Sequence, residues 1–419
     1  MQTLKEKIEA ANLEAVTRMV KAQPMWNDVC AAGEVIPGMT KSTFLHAGPP
    51  ISWERMCIPQ KNAMIGAIMY EGLAATPEEA LKLIEQGKVT ISPSHPYDTV
   101  TSMAGITSYS QPVFVVVNEQ TGHKGFCAFY EGPEYDILKM GVYSERVLKN
   151  LKYIETVTGP ALQKAIRRHG PLNVKRLLAK ALTMGDEIHT RNVAATHLMA
   201  MEVAGDMLRA GVDREEAAQT MELMQRSDQF TIHLSMAACK VMADAARNVE
   251  YSTMVTALAR NGVDVGVQVS GLGDAWFVGP AQLWTGALWF GAYSNADANP
   301  DTGDSAIVEC VGLGGMATAA APVLIQMKGG TVQDAVDYTR QMDDICIIQH
   351  PDFTIPMLNA QGTPTGIDIR KVVATGNVPV INSSICHKNG LGQIGVGHAL
   401  APMEAFEHAL RAFGEKYAE

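Results

Sequence analysis

Several features that mark particular protein classes are missing from this sequence of 419 residues. The seven cysteines are scattered, and they form neither a Cys-x-x-Cys pair nor a regular disulfide framework, which is typical of a reducing compartment. Charged residues make up only 19% of the chain, the net charge is −10, and the basic residues do not gather into a patch. We therefore do not expect nucleic acid or an anionic membrane as a partner.

Targeting and catalytic signatures are also missing. The N-terminal residues contain no apolar core of the kind that a signal peptide requires. The uncharged run 311–327 contains Pro322 and is rich in Gly and Ala, so we expect a buried helix there rather than a membrane span. No Gly-x-Ser-x-Gly, His-Glu-x-x-His or Walker motif is present. These absences predict a cytoplasmic protein and disfavour serine hydrolases, zinc proteases and P-loop ATPases.

The pattern along the chain predicts an α/β (α+β) multi-domain protein in which a helical domain separates two mixed domains. Residues 1–143 mix helix and strand signals, for example a capped helix from Thr76 and a buried strand over 113–118. Residues 144–250 are rich in Ala, Leu, Met, Glu and Lys with helical spacing. In residues 251–419 strands return and are each followed by glycines, which predicts anion-binding loops on one side of a sheet.

The most suggestive of these loops lies near the C-terminus. Residues 378–385 read as a buried strand, the glycines after it allow close backbone approach, and 398–417 read as a helix. A strand, a glycine loop and a helix in this order direct free backbone N–H groups at a phosphate or carboxylate. The alternative is a simple tight turn with solvated neighbours. The residues concerned are His387, Lys388, Gly390, Gly392 and Gly395.

A second candidate is the segment Thr183–Asn192 in the helical part. If Asp186 caps a helix after Gly185, then Asp186 and His189 lie three residues apart on one face. A carboxylate beside an imidazole can orient a general base. The alternative is an N-cap with a solvated histidine.

A third candidate is the turn Asn299–Ser305, which concentrates Asp301 and Asp304 ahead of an expected buried strand over 305–311. The following residues 312–317 satisfy the Gly-x-Gly-x-x-Ala pattern of dinucleotide-binding proteins. The acidic residue that should end a second strand is missing, because the candidates at 334 and 337 fall in a helical pattern. His46, His95 and Arg260 stand beside Gly or Pro in further loops, where side chains are available for binding.

Taken together, the motifs resemble one known family. His46-Ala-Gly-Pro-Pro, Met184-Gly-Asp-Glu-x-His-x-Arg-Asn, Ala298-Asn-Pro-Asp-x-Gly-Asp-Ser, Gly366-x-Asp-Ile-Arg and His387-Lys are similar to the YlbE-like family, the AllG-type subunits of bacterial oxamate carbamoyltransferase. The resemblance covers about residues 20–410. It implies phosphorolysis of oxalurate to oxamate and carbamoyl phosphate in anaerobic allantoin breakdown. It also implies a complex with two other subunits.

Carbamoyl transfer needs a phosphate cradle, a carboxylate clamp, donors for the carbonyl oxygen and a proton donor for the leaving amide. We assign the phosphate to Lys388 and the glycine loop, and the substrate carboxylates to Arg370 or Arg260. Proton transfer falls to His387 or His189, with Asp186 beside the latter. The residues expected to hold the remaining substrate groups are Asn299, Asp301, Asp304, Asn382, His46 and His95.

No cofactor or metal is required by this scheme. A homodimer is one option beside the hetero-oligomer, and the substrates are small molecules: oxalurate, phosphate and carbamoyl phosphate. Two alternatives stay open, a non-catalytic scaffold subunit that binds a metabolite and a dinucleotide-dependent oxidoreductase.

Overall fold

The structure, a computed structural model, describes residues 3–417. Within these residues it is a mixed α/β protein with fifteen α-helices and five small sheets, which confirms the expected class. Residues 1, 2, 418 and 419, which the predicted domain boundaries include, lie outside the described part. Among the helices of the described residues, none combines the length and apolar character that a bilayer crossing needs.

The first part of the chain forms two sheets with helices packed around them. Its elements are α1 (Leu4–Lys21), β1 (Pro24–Ala31), α2 (Ala32–Val35), β2 (Thr43–His46), α3 (Ile58–Tyr70), α4 (Pro77–Glu85), β3 (Thr90–Pro93), β4 (Ile106–Thr107), β5 (Pro112–Asn118) and β6 (Lys124–Ala128). The predicted helix after Thr76 is confirmed, because the Thr76 side chain accepts a hydrogen bond from Glu79 N at the start of α4. The predicted strand over 113–118 is β5.

The middle part is helical except for one two-residue strand. Its elements are α5 (Glu145–Tyr153), a π-helical turn (Ile154–Thr158), α6 (Gly159–His169), β7 (Leu172–Asn173), α7 (Val174–Thr183), α8 (Val193–Arg209), α9 (Arg214–Arg226) and α10 (Ile232–Asp244). Asp213 caps α9, as its position before two glutamates indicates. Strand β7 pairs with β1 and completes the sheet order β6-β5-β1-β7.

The last part contains three of the sheets. Its elements are β8 (Val255–Asn261), β9 (Asp264–Val269), β10 (Phe277–Pro280), β11 (Gly286–Trp289), β12 (Thr302–Gly303), α11 (Ile307–Cys310), α12 (Val323–Gln326), α13 (Val332–Asp343), β13 (Cys346–Ile355), β14 (Gln361–Ile367), α14 (Ile369–Thr375), β15 (Val380–Cys386), β16 (Gln393–Leu400) and α15 (Met403–Tyr417). The sheet orders are β10-β9-β8-β12, β11-β16-β15 and β13-β14, and the short sheet near the N-terminus is β3-β2-β4.

One continuous core joins the middle part to the rest. Phe114 on β5 stacks on Phe129 with ring centroids 4.3 Å apart, and both rings contact the edge or face of Phe230 just before α10. Trp26 of β1 contacts Phe114 from the other side. The helices of the middle part are thus packed directly on the first sheet, and their separation as an inserted domain stays a prediction.

Two predicted elements are wrong. Residues 305–311 do not form a strand; β-branched Ile307 and Val308 lie in the short buried helix α11, where tertiary packing overrides local preference. Residues 393–400 form β16 instead of a glycine loop and helix start. A Cβ at Gly395 would lie 2.7 Å from Leu288 O, so this glycine permits close strand approach in a sheet.

The shared aromatic core gives a first prediction. Phe114→Ala should lower the free energy of unfolding by about 3–5 kcal/mol, because it empties a fully buried site between three rings. Leu13→Ala, on the exposed face of α1, should change it by less than about 0.5 kcal/mol. Urea denaturation measures both, and equally small losses would contradict the packing described.

Candidate functional site

A buried ion pair fixes the acidic turn between residues 298 and 305. Arg260 on β8 and Asp301 are both fully buried and form a bidentate pair, with Nε–Oδ2 2.8 Å and Nη2–Oδ1 3.0 Å. Arg260 also donates to Gly303 O at 2.6 Å and to the hydroxyls of Ser305 and Ser383. Every nitrogen of the guanidinium is therefore occupied by protein. The prediction that Arg260 clamps a substrate carboxylate is not supported, because the group has no free donor face.

Asp304 ties three loops of the first part to this turn. Its carboxylate accepts hydrogen bonds from Gly48 N (2.7 Å), Thr101 N (2.8 Å) and Ser94 Oγ (2.5 Å). His95 Nε2 lies 3.6 Å from Oδ1, too far for a hydrogen bond. Burial alone would raise the pKa of Asp304, but the His95 ring and the three donors outweigh burial and hold the pKa below its usual value.

His46 and Asn299 lie in the same region but are engaged locally. His46 Nδ1 is 2.8 Å from Ala47 O, and burial lowers the pKa of the ring, so the imidazole stays neutral. Asn299 Nδ2 donates to Pro300 O at 2.7 Å. Six of the residues expected to bind substrate are instead buried: His46, His95, Arg260, Asn299, Asp301 and Asp304. Their bonds are those of a scaffold that orders loops.

A second buried network centres on His189. Its Nδ1 lies 2.7 Å from Glu309 Oε1, and that oxygen also accepts from Gly315 N (2.9 Å) and Asn382 N (3.3 Å). Asn382 Nδ2 reaches Glu187 Oε2 at 3.5 Å. Burial raises the pKa of Glu187, against the opposing effect of His189. Within residues 3–417, His189 Nε2 has no hydrogen-bond partner, so the ring is oriented by a carboxylate and keeps one nitrogen for proton transfer.

Asp186 does not pair with His189, which corrects the expected helical arrangement. Residues 184–192 form turns, and α8 begins only at Val193. The Asp186 carboxylate accepts from Ala195 N in the first turn of α8 and from Arg191 Nη1, both at 2.8 Å. Burial raises the pKa of Asp186 to about 6. Asp186 therefore supports the start of α8 from outside the helix, whose N-cap is Asn192, and His189 is buried instead of solvated.

The glycines at 312–315 serve the Glu309 network instead of a dinucleotide. They follow the helix α11, whereas the dinucleotide fingerprint requires a strand there. Gly314 has φ +58°, and a Cβ on it would collide with the Glu309 carboxylate. The dinucleotide oxidoreductase alternative loses its only motif.

The C-terminal anion loop is also corrected. The turn 387–392 joins β15 to β16 in a hairpin, so no helix N-terminus faces it. His387 Nδ1 accepts from Asn389 N, and Lys388 Nζ donates to Ala296 O at 2.5 Å on the surface. The glycines Gly390, Gly392 and Gly395 satisfy tight turns and strand contacts. A phosphate cradle at these residues is not supported.

Arg370 lies in a different environment. It donates to Asp368 at 2.6 Å, to Thr253 at 3.1 Å and to Glu9 of α1 at 3.2 Å. These contacts tie α14 to the N-terminal helix. They account for the Gly-x-Asp-Ile-Arg motif without a substrate.

An open cleft of about 470 Å³ lies where the three parts of the chain meet. Tyr130 and Tyr135 come from the first part, Arg191 and Arg226 from the middle part, and Phe290 from the last. The volume suits a small metabolite. Two guanidinium groups on one cleft favour an anionic ligand, in a protein whose net charge is −10.

The His189 network shapes one wall of this cleft. Glu187 Oε1 accepts hydrogen bonds from the backbone N–H groups of Thr190 and Arg191. Ile188, the residue after Glu187, has φ +70°, which turns the chain back towards the Glu187 side chain. Thr190 and Arg191 both line the cleft. Only Nη1 of Arg191 is bonded within residues 3–417, so its remaining donors are available to a ligand.

Comparison with known proteins connects this geometry with one family. Residues 89–305 match the family model described as oxamate carbamoyltransferase subunit AllG. The chain is 38% identical over 412 residues to the Escherichia coli oxamate carbamoyltransferase subunit AllG, covering 97% of this chain and 98% of that protein. This chain belongs to the AllG family.

Two further relatives have no stated activity. The E. coli protein YahG, described as uncharacterized, is 42% identical and covers 99% of this chain and 88% of its own length. A crystal structure of a conserved protein of unknown function from Enterococcus faecalis V583 superposes with a TM-score of 0.96 at 42% identity and 99% coverage of both chains. The AllG family resemblance expected from the motifs is thus confirmed, and the fold is shared with an experimental structure.

Sequence reasoning missed Glu187 and Glu309, the two carboxylates around His189. Glu309 is a lone acid inside the apolar run Ala306–Val311, and a charge in such a run is itself a signal, since an unpaired buried carboxylate is costly. Glu187 accepts a hydrogen bond from the backbone N–H of Arg191, a contact that the sequence pattern does not show.

One group of side chains has the composition of a metal site. Asp98, His123 and Asp244 offer ligand atoms within 4.8 Å of one another. Asp244 also forms a buried ion pair with Lys240 at 2.7 Å. A cation already neutralises this carboxylate, so the group is better explained as an ion-pair network.

The Arg260–Asp301 pair gives a second prediction. Asp301→Ala should lower the free energy of unfolding by about 3–5 kcal/mol, because it leaves a buried guanidinium without its counter-ion. The matched control is Asp264→Ala, which removes the partner of the exposed Arg55 and should cost at most about 1 kcal/mol. Chemical denaturation compares the two, and similar losses would refute a special role for the buried pair.

Asp304 gives a third prediction, on acid stability. The pKa of Asp304 is lower in the folded protein than in the unfolded chain, where an aspartate has a pKa of about 3.9. Above that unfolded pKa, the ionised carboxylate contributes its full stabilisation to the fold. The contribution is lost as the pH falls through the lower pKa of the folded state. The stability difference between wild type and Asp304→Asn should therefore shrink from pH 7 towards pH 3. Asp337→Asn, on the exposed side of α13, serves as control. A difference independent of pH would show that the charge of Asp304 is not what matters.

Proposed function

We propose that this protein is a subunit of an oxamate carbamoyltransferase and takes part in the phosphorolysis of oxalurate to oxamate and carbamoyl phosphate. The observation that carries the proposal is the relation to the AllG subunit of E. coli over nearly the full length of both chains. That relative is one subunit of its enzyme, so we infer that further subunits complete the enzyme here as well.

The cleft supports this substrate class. Oxalurate carries a carboxylate at one end and a neutral carbamoyl group at the other, and phosphate is a second anion. Arg191 and Arg226 can bind planar or tetrahedral oxyanions through paired N–H groups. The aromatic rings of Tyr135 and Phe290, with centroids 4.9 Å apart, provide an apolar wall for the planar ureido group.

His189 is the proposed proton donor to the departing oxamate nitrogen. The leaving amide nitrogen is a poor leaving group unless it is protonated as the C–N bond breaks. Glu309 fixes the tautomer of His189 by accepting a hydrogen bond from Nδ1. In the chain His189 directly precedes Thr190 and Arg191, which line the cleft, and we therefore assign the role to its Nε2.

The experiment is an assay of the reconstituted complex. The chain, mixed with the products of neighbouring genes that purify with it, should release carbamoyl phosphate from oxalurate and phosphate. His189→Ala should reduce turnover by on the order of 10²-fold or more, the usual effect of losing an acid–base group. His197→Ala, an exposed histidine on α8, should leave turnover unchanged.

Three results are informative. No carbamoyl phosphate from the wild-type complex would refute the proposed reaction. If the His189 variant has normal turnover but a lowered melting temperature, His189 stabilises the fold and does not transfer the proton. Turnover insensitive to His189, Arg191 and Arg226 together would mean that a partner carries the chemistry and that this chain is a scaffold.

A further inference from the structure

A small chamber separate from the cleft plays no part in the scheme above. It measures about 30 Å³ and is lined by the loop 101–107, by the end of β6 and by α10. Its walls carry an unusual set of reactive side chains for a cavity of this size, namely Ser102, Cys127, Glu131, Lys139 and His233. All five are buried. Buried titratable groups gathered at one cavity are a mark of functional sites.

Ser102 and His233 have the geometry of a nucleophile and its base. Ser102 Oγ lies 2.8 Å from His233 Nε2, and His233 Nδ1 lies 2.5 Å from Ala128 O. A carbonyl oxygen only accepts, so Nδ1 carries the proton and Nε2 accepts from the serine hydroxyl. Burial, helped by Lys139, lowers the pKa of His233 well below its usual value, so the resting ring is neutral and its Nε2 lone pair faces the serine hydroxyl.

The backbone on both sides of Ser102 is constrained. Met103 has φ +51°, a left-handed conformation that is unfavourable for a side chain of this kind. Thr101 N on the other side of Ser102 is bound by Asp304. Strained backbone of this type persists where the surroundings enforce it, and it is frequent at functional sites.

Lys139 supplies a buried amine without a hydrogen-bond acceptor. Its side chain is 5% exposed, and within residues 3–417 its Nζ makes no hydrogen bond and has no carboxylate within 4.0 Å. The Nζ atom lies 3.6 Å above the centre of the Tyr130 ring. Burial lowers the pKa of Lys139 to about 7, against the opposing effect of Glu131. A buried amine of this kind favours an oxygen that gains negative charge.

The chamber and the cleft adjoin at Tyr130. This residue lines the cleft, and the next residue, Glu131, lines the chamber. The Tyr130 ring also lies under the Nζ atom of Lys139, another residue of the chamber wall.

We propose that Ser102 receives the carbamoyl group as a covalent ester, with His233 as its general base and Lys139 as the donor to the carbamoyl oxygen. This inference rests on the proposed carbamoyl transfer and adds an intermediate to it. The chamber has room for two or three water-sized positions, at roughly 10–15 Å³ each, which matches the three non-hydrogen atoms of a carbamoyl group. Oxalurate itself does not fit, so its oxamate portion stays in the cleft.

The two half-reactions balance. Ser102 Oγ bonds to the carbamoyl carbon while its proton passes to His233 Nε2, and the carbon–nitrogen bond to oxamate breaks as that nitrogen takes a proton from His189. Oxamate leaves. An oxygen of hydrogen phosphate then attacks the same carbon, the ester bond to Ser102 breaks, and Ser102 recovers its proton from His233. The proton of hydrogen phosphate restores His189, and no oxidant or cofactor is consumed.

Isotope exchange tests the intermediate in the assembled complex. With carbamoyl phosphate and labelled inorganic phosphate but no oxamate, the wild-type complex should move label into carbamoyl phosphate. Ser102→Ala should reduce this exchange at least 100-fold. Ser108→Ala removes another buried hydroxyl, bonded to Glu71, and should lower the melting temperature without affecting exchange. Mass spectrometry of the quenched wild-type complex should find one carbamoyl group on the peptide that carries Ser102.

The outcomes separate this inference from the proposed function. Formation of carbamoyl phosphate from oxalurate without any phosphate exchange, or with full turnover by the Ser102 variant, would overturn the covalent intermediate and leave the reaction standing. Exchange and a modified Ser102 without any reaction of oxalurate would support the intermediate and overturn the assigned donor. Absence of both activities in the wild-type complex would overturn both.

Discussion

The Arg260–Asp301 ion pair is the constraint on which the arrangement of the interior depends. It fixes the turn that ends at Asp304, and Asp304 then binds the backbone at Gly48 and Thr101 and the side chain of Ser94. Loops from the first part of the chain are thereby held against strands of the last part. Because both charges are fully buried, solvent does not screen their attraction. If either side chain is removed, the other remains as an unpaired charge in the low-dielectric interior.

Around this fixed centre the molecule places two spaces of different character. The cleft is open, large enough for a metabolite and bordered by two guanidinium groups. The chamber is very small and is bordered by a serine, a histidine and a lysine. Recognition of a substrate and activation of one of its groups make opposite demands, since the first needs access from solvent and the second needs exclusion of water. A division between adjoining spaces meets both demands.

The sequence predicted local elements better than it predicted which side chains are buried and what they contact. Caps at Thr76 and Asp213 and the strand β5 depend on nearby residues, so they could be recognised directly. The glycines of β16 were misread as a loop because their reason is the approach of a neighbouring strand, which sequence does not display. The histidine at 189 was recognised, but its partner Glu309 lies 120 residues away, and only the fold brings them together. Ser102, His233 and Lys139 carry no local pattern at all, because they come from separate segments that meet only at the chamber.

The separation of the two spaces also has a consequence for how the family diversifies. The chamber is built from the interior scaffold, whereas the cleft rim is contributed by surface segments such as those around Tyr135, Arg226 and Phe290. Surface segments tolerate substitution with little loss of stability, while buried polar groups do not. Substitutions at the rim should therefore cost less stability than substitutions of the buried polar residues. If the cleft binds the substrate as proposed, its ligand preference could change through rim substitutions while the interior stays the same.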